Sequence, residues 1–150
     1  MLGIKNNLII ILDEFLKNTG VSSATLITED GLVMATNSEQ NLNEEDLNYN
    51  FAAISASILS MAEKGIEIIN ANKILEQIQV DTGLGENIEV DFSIIITRIF
   101  SNVLIQVIFP KWINIGLIQF ETNKIINIIK NIFQNDSTRE IVFADLGSLL

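Results

Sequence analysis

Apolar and polar positions along this chain follow two rhythms, one of helical and one of strand spacing. Over residues 4–18, Ile4, Leu8, Ile11, Leu12 and Phe15 recur every three or four positions, with Asp13, Glu14 and Lys17 elsewhere, which predicts a helix. Ile10 falls on its polar side. Asn18-Thr19-Gly20 reads as the helix end, with Gly20 free to take positive φ. Val21 to Thr28 and Leu32 to Thr36 read as strands. Glu29-Asp30-Gly31 joins them, and Asp-Gly supplies the positive φ of a tight hairpin. Asn37 to Asn43 is polar and expected to be a loop. Asn43 suits a helix N-cap, and Glu44, Glu45 and Asp46 then place negative charge where the helix dipole favours it.

A second helix is expected from Glu44 to Lys64. Leu47, Phe51, Ile54, Ile58 and Met61 form its main apolar face, and the expectation is that this face meets the core. The other side carries a band of small and apolar side chains: Tyr49, Ala52, Ala53, Ala56, Leu59 and Ser60. Two readings of the band stand. Ala and Ser suit an exposed helix through propensity alone. Alternatively, the small side chains let a helix of a second subunit approach closely.

Residues 74–82 form a weaker strand. Ile78 and Val80 point one way and Gln77, Gln79 and Asp81 the other, as in an edge strand with a wetter face. Gly83 and Gly85 punctuate its end. Phe92 to Phe100 and Val103 to Phe109 are nearly continuous apolar runs, the mark of strands buried on both faces, and Ser101-Asn102 turns between them. Arg98 lies inside the first run and needs a partner or solvent there. Pro110 ends the last strand. A third helix follows over 115–133, with Ile118, Ile125, Ile128, Ile129 and Ile132 on one face. The order α-β-β-α-β-β-β-α describes an α/β (α+β) domain over 1–133, a small sheet with helices on both faces. Residues 134–150 form a C-terminal extension. Its Ile141-Val142-Phe143, Leu146, Leu149 and Leu150 are too apolar for a free linker, which leaves docking on the domain or on a partner.

Composition narrows the partners. At 150 residues and 48% apolar content, the chain suits one compact domain. A net charge of −10, with Arg98 and Arg139 the only arginines, argues against binding nucleic acid or anionic lipid. Leu8 to Leu12 is stopped by Asp13 and Glu14, too short for a membrane span or a signal peptide. With no cysteine there is no disulfide, a composition that fits the cytoplasm.

Chemistry has little to stand on. Histidine is absent along with cysteine, which removes the commonest general base and any Ser-His-Asp or Cys-His arrangement. There is no GxxxxGK[ST] and no GxGxxG; Gly83-Leu84-Gly85 reads as a turn. Glu44-Glu45-Asp46 lacks the spacing of an EF-hand loop and is explained by the helix start. The expectation is a non-enzymatic protein with no cofactor and no metal, working through its surfaces.

Several local sequences resemble the roadblock (dynein light chain) family. They are Leu12-Asp13-Glu14-Phe15-Leu16-Lys17-Asn18-Thr19-Gly20-Val21, the hairpin Ala24 to Ala35, the helix segment Phe51 to Leu59, and Asn114-Ile115-Gly116-Leu117-Ile118 before the last helix. The likeness spans about 4–133. It implies a five-stranded antiparallel sheet with one helix on one face and two on the other, an architecture akin to longin and profilin domains. It also implies homo- or heterodimers whose edge strands pair across subunits with the second helices nearby, a role that would fall on residues 74–82. Family members mostly serve small Ras-like GTPases as scaffolds and regulators; the prokaryotic gliding-motility type stimulates its GTPase without supplying an arginine.

These readings converge on a dimeric scaffold that binds a small Ras-like GTPase and modulates its nucleotide cycle. Its partners would be that GTPase and a second copy or another roadblock protein. Tyr49, Ala52, Ala53, Ala56, Leu59, Ser60, Gln77, Gln79 and Asp81 are the expected dimer or partner surface. The alternative is a monomeric profilin- or longin-like adaptor for a cytoskeletal or trafficking protein, and a third reading is a small-molecule sensor.

Overall fold

The structure is a computed structural model and describes residues 2–38, 44–83, 91–100 and 102–134. Its elements are α1 (Leu2–Thr19), β1 (Ser23–Thr28), β2 (Val33–Ser38), α2 (Glu44–Ile69), β3 (Gln77–Asp81), β4 (Phe92–Phe100), β5 (Val103–Pro110) and α3 (Ile115–Gln134). This is the order the hydrophobic pattern predicts. The Asn43 cap, Gly85, Ser101 and the extension beyond Gln134 lie outside the described residues.

Local chemistry explains the boundaries. At the end of α1 the Thr19 hydroxyl donates to the Phe15 carbonyl at 2.6 Å, and Gly20 donates its N–H to Leu16 at 2.8 Å with φ at 77°. In the first hairpin, Gly31 takes φ of 90° and donates to the Thr28 carbonyl at 2.9 Å. α2 runs past Gly65 to Ile69, five residues beyond the expected end at Lys64, because a single helix-interior glycine costs only about 1 kcal/mol.

All strand pairs are antiparallel, in the order β2-β1-β5-β4-β3. The two apolar runs, β4 and β5, lie inside the sheet, and the alternating strand β3 lies at its edge, as their patterns require. One face carries α1 and α3. There Leu8, Leu12, Phe15, Leu26, Ile95, Ile105, Val107, Ile118 and Ile129 form the larger core. The other face carries α2, over a smaller core of Ile27, Ala52, Leu59, Ile94, Ile96, Leu104 and Ile108.

The apolar face of α3 differs from expectation at one position. Ile118, Ile125 and Ile129 are buried and Ile132 is half-buried, but Ile128 is 46% exposed, and Thr122, Ile126 and Phe133 complete the inner side. Arg98 finds its partners: its guanidinium bonds to Glu63 of α2 and to the Leu75 carbonyl at 3.0 Å, with Glu29 of the hairpin 3.7 Å away.

Candidate interaction surface

The small residues of α2 decide how that helix sits. Ala52, Ser55, Ala56 and Leu59 are all buried, against this chain's own sheet. A Cβ added at Gly31 would lie 3.1 Å from the Ala53 Cα and 3.4 Å from the Ala52 carbonyl oxygen. The helix backbone therefore rests directly on the hairpin turn. At the same contact, Ser55 donates its hydroxyl to the Oε1 of Gln106, which lies in β5 and is fully buried. On the neighbouring strands of that face, the Thr25 and Thr36 hydroxyls bond at 2.8 Å.

This corrects the expectation for Ala52, Ala56 and Leu59, which face the sheet and not a second subunit. It also inverts the reading of the main apolar face. Ile54 and Met61 are 53% and 67% exposed, and Phe51 and Ile58 only half-buried. The physical reason is distance. Small side chains let the α2 backbone come down onto the hairpin at Gly31, and the bulkier residues are left on the outer side. Ala53 and Ser60 are exposed, and the side chain of Tyr49 lies outside the described residues.

What remains outside is an apolar seam. Phe51, Ile54, Ile58, Met61, Gly65 and Ile68 alternate at spacings of three and four, the repeat by which helices pack against other helices. Ile68 and Ile69 close the helix at 88% and 82% exposure, and Ile74 lies beyond it at 66%. Its exposure makes this seam the candidate interaction surface.

The edge strand lies on the same molecule with half its backbone unpaired. Arg98 donates its N–H to the Glu76 carbonyl, and Thr82 donates to Phe92. In an antiparallel pair these contacts fix the alternation, so the N–H and C=O groups of Gln77, Gln79 and Asp81 point away from β4. Their side chains are exposed and tied to the sheet. Ser93 donates to Asp81 at 2.5 Å, Gln79 donates to the same carboxylate at 3.0 Å, and Thr97 donates to Gln77 at 3.2 Å. The Ser93 and Gln79 hydrogen bonds hold the Asp81 carboxyl below the usual carboxylate range. On the opposite face of β3, Ile78 and Val80 are half-buried and lie on the α2 side of the sheet.

The sequence reading missed Ser55, Gln106 and the seam beyond Met61. Gln106 carried a signal, being the one polar residue in an otherwise apolar run. The seam was hidden by ending the helix before Gly65. Among the described residues no group of histidine, cysteine, aspartate or glutamate is clustered to hold a metal ion, and no helix is long and apolar enough to cross a membrane.

Residues 10–88, just over half the chain, match the Roadblock/LC7 domain family. The chain belongs to that family. Roadblock domains are regulatory adaptors. No curated protein matches this one in sequence. Among solved structures, this roadblock chain is similar to the gliding protein MglB of Thermus thermophilus, at 16% identity and a TM-score of 0.66 over 81% of this chain and 84% of that one. It is similar to Myxococcus xanthus MglB at 17% identity and 0.70, covering 85% and 95%. A Roadblock/LC7 domain from Streptomyces avermitilis matches at 12% identity and 0.71, covering 85% and 98%. At these identities the likeness establishes a shared fold.

Proposed function

We propose that this roadblock protein is a cytoplasmic, non-enzymatic scaffold. It pairs with a second copy or another roadblock protein, binds a small Ras-like GTPase and modulates its nucleotide cycle. The observation that carries the reading is the adjacency of an unpaired edge strand, β3, to the exposed apolar seam of α2. Family membership and the fold shared with two MglB proteins support it.

The outward groups of Gln77, Gln79 and Asp81 define the pairing. A two-fold axis through Gln79 sets Gln79 opposite Gln79 and Gln77 opposite Asp81, so no like charges meet directly. The same register sets Ile78 against Val80 on the α2 face. The seams of two α2 helices then lie side by side over a continuous sheet. Ile54, Met61 and Ile68, with exposed Ala53 and Ser60, supply the surface shared between the second copy and the GTPase. Regulation would follow from differential affinity: a surface that prefers one arrangement of the GTPase switch segments shifts its population.

The test is absolute mass in solution across a concentration series, for the native chain and for Gln79→Pro. Proline removes an N–H that no described residue of this chain uses, while blocking a partner strand. A dimer that Gln79→Pro makes monomeric supports the pairing; an equal mass for both chains defeats it. Nucleotide hydrolysis by a small GTPase with and without the native chain tests the second half. A rate unaltered at saturating chain removes the regulatory role.

A further inference from the structure

The β3 edge carries opposite charges at its two ends. Glu76 precedes the strand, where its carbonyl accepts the Arg98 N–H. Its side chain is exposed, with no hydrogen-bond or ion-pair partner among the described residues. At the far end the exposed Lys111 follows β5 and crosses the start of β4. Its ammonium donates to the Thr82 carbonyl at 2.7 Å, one residue past Asp81. Glu76 and Thr82 are six positions apart, about 20 Å along a strand, so the two charges cannot meet within one chain.

An antiparallel two-fold brings them together. Where Gln79 lies opposite Gln79, the same register sets Glu76 of one copy opposite Thr82 of the other. The two backbones are then about 4.8 Å apart, and long side chains at opposite or diagonal positions reach each other. The ammonium held at Thr82 therefore comes within reach of the Glu76 carboxylate of the second copy. The axis repeats the contact at the other end of the pairing. A slip of two residues, the smallest that keeps each side chain on its face, moves Glu76 about 7 Å along the strand from that ammonium.

We infer that reciprocal Glu76–Lys111 ion pairs across the β3 edges select a second copy of this chain as the pairing partner and fix the register. The inference rests on the edge pairing of the proposed function. Another roadblock chain satisfies both ends only if it carries an acid and a base at the corresponding places, and a like charge at either end repels it. Exposed ion pairs add little cohesion, so their effect here is on the choice of partner.

The test uses Glu76→Lys and Lys111→Glu, each in the full chain. Either variant alone sets like charges together at both ends of the pairing, and its dimer should be weaker by roughly tenfold or more in Kd. Mixed in equal amounts, the two variants should pair with each other nearly as tightly as the native chain, because each end again joins an acid to a base. Absolute mass in solution reads both, with the variants apart and together. The gap between variant and native dimers should narrow as salt is raised. A variant that pairs with itself as tightly as the native chain overturns the inference and leaves the edge pairing standing. A mixture no tighter than its components overturns it too, as does a gap indifferent to salt; either would mean that the substitutions act through the fold. A native chain that stays monomeric at every concentration removes the edge pairing itself, and the inference with it.

Discussion

Ser55 of α2 donates its hydroxyl to the side-chain oxygen of Gln106, at a point where both residues are out of contact with solvent. The Gln106 amide nitrogen is buried with no hydrogen-bond partner. A contact of this kind fixes where a helix sits because few other positions satisfy it. Ser55→Ala leaves the Gln106 oxygen unpaired as well and should cost about 1–3 kcal/mol. Ser55→Ala combined with Gln106→Leu replaces both partners by apolar groups and should regain most of that loss. Urea unfolding of the two variants checks this; additive losses would contradict it.

The two glycines near α2 should respond in opposite directions. Gly31→Ala places a side chain at φ of 90° and against the Ala53 backbone, so a loss of at least about 1–2 kcal/mol is expected. Gly65→Ala meets open space within a helix and should gain about 0.5–1 kcal/mol. Thermal melting of both variants is the measurement, and a common sign would show that the close approach at Gly31 does not limit stability.

Much of this fold can be read from the chain. The helix period around Leu8, Leu12 and Phe15, the Asp30-Gly31 turn and the two-residue alternation around Ile78 and Val80 each depend on near neighbours alone. The face of α2 does not. Hydropathy ranks Ile54 and Met61 above Ala52 and Ala56, but the hairpin selects for small size at Gly31, far from α2 in sequence. A band of small residues reveals that something comes close without revealing what. Ser55 and Gln106 are likewise invisible as a pair, since only the packing of α2 across β1 and β5 brings them together. At the edge strand the alternation was enough, because an edge is defined by its own solvent exposure.

Ala56 and Met61 separate folding from association. Ala56→Glu puts a charge under α2 and should unfold a large share of the protein, with a loss above about 3 kcal/mol. Met61→Glu, at a 67% exposed position, should leave the melting of the isolated domain within about 0.5 kcal/mol while weakening assembly. Circular dichroism with solution mass distinguishes them. Equal folding losses in both would mean the seam is internal.

Asp81 introduces a dependence on acid. Its carboxyl is held below the usual range by hydrogen bonds from Ser93 and Gln79, so the folded pKa lies below the unfolded one. The stabilisation is then complete above about pH 4, the ordinary aspartate value, and fades as pH falls through the lowered one. Asp81→Asn should lower stability slightly at neutral pH, where the carboxylate contribution is complete, and flatten the acid limb of an unfolding titration below about pH 4. An identical acid limb in both chains would assign the effect to other carboxylates.

Arg98 ties three elements together through a planar fork, joining β4 to Glu63 of α2 and to the Leu75 carbonyl ahead of β3. Arg98→Lys keeps the charge but cannot hold both contacts, and a loss of about 1–3 kcal/mol is expected. Amide exchange around residues 75–81 should quicken in this variant more than exchange in β1. Uniform quickening would show that Arg98 supports the whole fold and not the edge.

The two ends of the sheet are unlike. β2 has α1 and α2 against it, one on each face, whereas β3 has little of any helix against it. A sheet with two equivalent open ends can add chains without limit and grow into a fibre. In the proposed pairing, growth through β3 is self-terminating: once two copies meet edge to edge, each has used its β3 end, and the β2 ends they turn outward carry a helix on each face. On that pairing the chain carries a counting rule in its topology, set by which strand lies last.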